Sequence, residues 1–89
     1  MLTIKIIITG KVQGVFFRQS TREKALELGI AGSVENLPDP NIVEVVATGA
    51  EADLAELISW CQIGPPRADV KNVEISDQPL QEFENFSIL

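Results

Sequence analysis

Leu2, Ile4, Ile6 and Ile8 alternate with Thr3, Lys5 and Thr9, and the run leads into Gly10-Lys11-Val12-Gln13-Gly14-Val15-Phe16-Phe17-Arg18. A period of two, rich in β-branched residues, is the mark of a strand. The residues after it form a glycine-bracketed turn that opens into good helix formers, so strand, tight loop and helix must follow one another directly. Glycines let a main chain adopt positive φ and come close to a ligand. Successive loop N–H groups running into a helix N-terminus converge with a favourable dipole. The expected guest is an oxyanion.

The rest of the chain constrains the architecture. A helix is predicted from Phe17 to Leu28, with a narrow stripe of Thr21, Ala25 and Leu28 and Gly29 as its stop. Ile30 to Glu35 and Ile42 to Thr48 read as strands joined through Asn36-Leu37-Pro38-Asp39-Pro40-Asn41, where two prolines and three Asx residues favour a turn. Leu54, Leu57, Ile58 and Cys61 recur at helical spacing, with Glu51 and Asp53 near the dipole-favoured end and Gly64-Pro65-Pro66 as terminator. Val70 to Ile75 gives a fourth strand. Phe83, Phe86 and Ile88 suggest a short closing edge after the Gln78-Pro79 turn. The order β-α-β-β-α-β implies an α+β, ferredoxin-like sandwich: an antiparallel sheet, two helices on one face and a short C-terminal edge strand. Strands one and three are then central, and the loop after strand one faces the end of strand two, where Arg18 and Asn36 can meet.

Length and charge narrow the possibilities. The 89 residues, 45% of them hydrophobic, suit a single domain spanning 1–89. A net charge of −6 disfavours nucleic acid as a partner, because a phosphate backbone needs clustered Lys and Arg. Lys11, Arg18, Arg22 and Lys24 nevertheless make the loop locally basic, which suits a small anion. A lone cysteine, Cys61, precludes an internal disulfide, and with no leader or membrane-length apolar run the expectation is a cytoplasmic monomer. With no histidine there can be no Ser-His-Asp or Cys-His arrangement, and the acids show no metal-site spacing, so neither metal nor cofactor is expected. What remains is electrostatic: loop amides, Arg18 and side-chain amides, suited to a reaction whose leaving group is already good.

Gly10 to Arg18 resembles the signature of acylphosphatases. Gly32-Ser33-Val34-Glu35-Asn36-Leu37-Pro38-Asp39, followed by Ile42-Val43-Glu44-Val45 and Gly49, is similar to that family's second motif. The likeness continues through Trp60-Cys61 and Gly64-Pro65-Pro66 to Phe83, Phe86 and Ile88. It departs at Ser33, where members commonly carry an aromatic, and at Asp39-Pro40-Asn41, which makes the hairpin one residue longer. The resemblance implies hydrolysis of acyl phosphates to carboxylate and orthophosphate, the latter a product and inhibitor. It implies that the loop of Lys11, Val12, Gln13, Gly14, Val15, Phe16 and Phe17 holds the phosphate together with Arg18, and that Asn36 positions the attacking water. The alternative is a non-catalytic anion-binding or regulatory module on the same fold. Among the remaining residues, Gln13 suits bracing of the loop as well as it suits phosphate. Phe16 and Phe17 are expected to anchor the loop in the core, Trp60 to pack, and Cys61 to be an inert core thiol.

Overall fold

A computed structural model describes residues 1–89. The elements are β1 (Leu2–Lys11), α1 (Phe17–Leu28), β2 (Ala31–Asn36), β3 (Ile42–Gly49), α2 (Glu51–Ile63), β4 (Asp69–Gln78) and β5 (Phe86–Ile88). One five-stranded sheet has the order β4-β1-β3-β2-β5, with β1 and β3 inside as expected. The four longer strands are antiparallel, whereas β5 runs parallel to β2. The chain leaves β4 at one edge, reverses direction and crosses to the far edge, where the strand waiting to be paired has the same sense.

Alternation dictates the two faces of the sheet. Ile4, Ile6 and Ile8 stand opposite Ala47, Val45 and Val43, and all six are buried. Lys5 and Ile7 occupy the other face with Val46 and Glu44, where Lys5 and Glu44 lie 3.6 Å apart. α1 buries Phe17, Thr21 and Ala25, and α2 buries Leu54, Leu57 and Cys61, against the same cluster. The helices meet where the rings of Phe17 and Trp60 tilt together at 5.6 Å. Phe86 of β5 fills the gap over α1 and β2 at 1% exposure. The segment crossing to it is fastened by a fully satisfied polar group: the hydroxyls of Thr3 and Thr48 lie 2.7 Å apart, Thr48 donates to the Gln81 carbonyl, and the Gln81 N–H donates to Thr3.

β1 and β4 both run further than their hydrophobic patterns suggest. The β1–β4 register shifts between Thr9 and Gly10, and this bulge lets pairing continue to Lys11 opposite Asp69. Gly10 has φ 142° and donates to the Asn41 carbonyl at 2.9 Å. A side chain there would overlap the carbonyl oxygen of Asp69. Gly10→Ala is therefore expected to cost about 2–4 kcal/mol, read from a lower urea midpoint at unchanged slope.

Cys61 is fully buried on α2, and desolvation pushes its thiol from 9.0 up to about 12. The unfolded chain loses this proton near 9.0, so the thiol's contribution to stability is complete below that pH and is lost as pH rises towards 12. Unfolding free energies of wild type and Cys61→Ala, followed from pH 8 upwards, should therefore converge as the wild type loses this contribution.

Candidate active site

The loop between β1 and α1 owes its shape to an alternation of main-chain conformation. Gly14 (φ 73°) and Phe16 (φ 64°) are left-handed, while Gln13, Val15 and Phe17 are not. Alternating signs of φ turn successive N–H groups to one side, the geometry of an anion-binding nest. None of the main-chain N–H groups from Gln13 to Gln19 donates to a main-chain carbonyl. Phe16 is the N-cap of α1 and supplies no side-chain cap, and the first turn of α1 carries no acid. In α2, by contrast, Glu51 and Asp53 occupy the first turn. The start of α1 is thus a set of free donors on a positive dipole end, with Arg18 adding charge where a cation is ordinarily disfavoured.

The side chains of the loop divide their tasks. Val12, Val15 and Phe17 are buried and moor the loop to the core. Phe16 departs from the expected core anchor, because it is 69% exposed. The Gln13 amide nitrogen donates to the carbonyls of Leu37 (3.0 Å), Asp39 (3.1 Å) and Ile42 (2.9 Å). Its side chain is therefore a brace between loop and hairpin, the reading that sequence had left open. Lys11 lies at the end of β1, exposed, and its side chain does not line the cavity beneath the loop. Nor do Arg22 and Lys24 of the basic stretch: Arg22 donates to the Phe86 carbonyl at 2.9 Å and Lys24 lies 3.5 Å from Glu27.

That cavity, about 380 Å³, is lined by Val12, Gly14, Phe16, Phe17, Arg18 and Gln19 from the loop and helix, Asn36 from β2 and Ile88 from β5. Arg18 and Asn36 thus share one cavity. Arg18 donates to the Leu89 carbonyl at 3.1 Å, which leaves most of its five donors uncommitted. Asn36 is the last residue of β2, one earlier in the chain than Leu37, whose N–H bonds to the Ile42 carbonyl and closes the hairpin. The longer tip is held by Asp39, whose carboxylate accepts from the Asn41 N–H and whose carbonyl accepts from the Ile42 N–H. Asn36 Oδ1 is buried and has no hydrogen-bond partner in the chain. A buried acceptor left unpaired costs about 1–3 kcal/mol, which marks Asn36 out among the residues that line the cavity.

Sequence reasoning missed four parts of this site: Arg22 as a fastening for β5, Gln19 and Ile88 as cavity wall, and the left-handed Phe16. Only the first had any signal, the spacing of four between Arg18 and Arg22 that puts both on one face of α1. No group of three or more His, Cys, Asp or Glu side chains is gathered to hold a metal ion, and no helix is long and apolar enough to cross a membrane.

The sequence pattern of the acylphosphatase family matches residues 4–88. An acylphosphatase from Acaryochloris marina is 46% identical over 89 residues, 100% of this chain and 95% of that protein. The solved acylphosphatase of Coxiella burnetii superposes with a TM-score of 0.94 at 40% identity, covering 99% of this chain and 92% of that one. That of Bacillus subtilis gives a TM-score of 0.94 at 33% identity, covering 100% and 99%. A loop of free N–H donors ending on an arginine, an asparagine across the cavity and relatives matched from end to end all agree, and the chain belongs to the acylphosphatase family.

Proposed function

We propose that this chain is a single-domain, cytoplasmic, monomeric hydrolase that cleaves the carboxyl-phosphate bond of acyl phosphates. The observation that carries the mechanism is that Arg18 and Asn36 line one cavity, with the Asn36 amide oxygen left unpaired by the chain itself. The phosphoryl group rests on main-chain N–H groups of the segment from Lys11 to Phe17. Arg18 presents its planar fork to two phosphoryl oxygens, which a lysine could not do. Water donates one hydrogen to Asn36 Oδ1, and this orients a lone pair towards phosphorus. An amide is too weak a base to take a proton, so a phosphoryl oxygen of the substrate receives it. The P–O bond to the acyl group breaks as the water oxygen bonds to phosphorus, and the carboxylate leaves without acid assistance because it is a stable anion. The rate enhancement comes from positioning and charge stabilisation. The one cysteine is free and buried, which suits a reducing compartment.

Release of benzoate from benzoyl phosphate by the purified protein should persist in excess EDTA, while phosphate monoesters, whose leaving groups need acid assistance, should be poor substrates. Loss of activity on chelation, restored by added metal, would overturn this mechanism.

Two variants separate enzyme from anion sensor. Arg18→Ala removes a group that holds phosphoryl charge in ground and transition states, so orthophosphate affinity and kcat should both fall, kcat by ~10²-fold or more. Asn36→Ala removes only the orienter of water, so kcat should fall by ~10²-fold while orthophosphate still binds. Orthophosphate binding should also stabilise the fold by about 2.7 kcal/mol at a hundred times its Kd. A wild-type chain that binds phosphate and turns over no acyl phosphate would instead establish the sensor.

A further inference from the structure

Four apolar residues line the cavity, and they are not equivalent. Val12 and Phe17 are 1% and 2% exposed, so their side chains belong to the core. Phe16 and Ile88 are 69% and 39% exposed, and it is they that offer apolar surface to whatever enters. Phe16 does so at φ 64°, a conformation that glycine takes freely and an aromatic residue takes rarely. Its ring recovers little by packing in the core. The backbone strain therefore sustains an exposed aromatic face one residue from Phe17 and two from Arg18, beside the position of the phosphoryl group. At about 380 Å³ the cavity is at the lower end of small-molecule sites, roomy enough for a phosphoryl group and a further arm.

Charge limits what that arm can be. Arg18 is the only cationic residue lining the cavity, and the phosphoryl group claims it. Arg22 and Lys24 are engaged elsewhere, and the chain carries a net charge of −6. A second anionic group on the substrate would find no partner there.

We infer that Phe16 and Ile88 form the subsite for the acyl arm and select uncharged, aromatic acyl phosphates over small or anionic ones. This rests on the acyl phosphate hydrolysis proposed above. The ring of a benzoyl group lies against Phe16 in an offset or edge-on contact, with Ile88 closing the other side, while the loop amides and Arg18 hold the phosphoryl end.

The test compares kcat/KM for benzoyl phosphate, acetyl phosphate and succinyl phosphate, which carries a carboxylate on its acyl arm, in wild type, Phe16→Ala, Phe16→Trp and Ile88→Ala. Wild type should prefer benzoyl phosphate to both others. In Phe16→Ala and Ile88→Ala the benzoyl-to-acetyl ratio should fall about fivefold, mostly through a higher KM for benzoyl phosphate, and Phe16→Trp should preserve it. An equal fall for all substrates would mean that Phe16 serves only the shape of the loop, and would overturn the subsite, as would an unchanged ratio or a wild type that favours succinyl phosphate. A wild type inactive on every acyl phosphate would overturn the proposed hydrolysis itself, and the subsite with it.

Discussion

Three carbonyl oxygens, those of Leu37, Asp39 and Ile42, converge on the amide nitrogen of Gln13, and the relation between the two halves of the site depends on that convergence. The loop bearing the free N–H donors and the hairpin bearing Asn36 belong to different connections. Neither is shaped by the other's sequence. A side-chain amide with two hydrogens, spread over three acceptors at 2.9–3.1 Å, fixes their separation. The buried side chains of Val12, Val15 and Phe17 complete the mooring from below. Positioning on this scale is what a site without a strong base relies upon.

The electrostatic design is economical. An acidic protein keeps one arginine in its cavity, backed by a helix start that no acid in its first turn neutralises. Arg18 is also tied to β5 through the Leu89 carbonyl, and Arg22, one turn on, to the Phe86 carbonyl. Edge strand and site therefore support one another: β5 limits the freedom of the arginine, and the two arginines hold a three-residue strand that could not stand alone.

Much of this was legible in the residues. The alternation from Leu2 to Ile8, the helical spacing from Leu54 to Cys61, and the stops at Gly29 and Gly64 are local signals, and local signals survive tertiary packing when every level agrees. The ends of strands were less legible. The extension of β1 past Gly10 depends on a bulge against β4, a partner almost sixty residues away in sequence. The parallel sense of β5 follows from which edge remains to be filled. Phe16 was the least legible, since an aromatic residue beside a glycine loop argues for burial and a negative φ, and the fold imposes neither. Asn36 could be singled out as a candidate, but its unpaired oxygen is a fact of burial alone.

The placement of β1 between β3 and β4 has a kinetic consequence. The first strand of the chain completes its pairing only with segments from the middle and far end, so only the β2–β3 hairpin can form from neighbours in sequence. Folding must close long loops before the contacts that reward closure exist, which makes it slow for a chain of this size. During that interval the Ile4-Ile6-Ile8 face is uncovered, and one molecule's β1 can pair with another's before its own β3 covers it. Lys5, set among these isoleucines, is the residue best placed to oppose such stacking, and its later pairing with Glu44 turns a guard of the unfolded chain into part of the finished sheet.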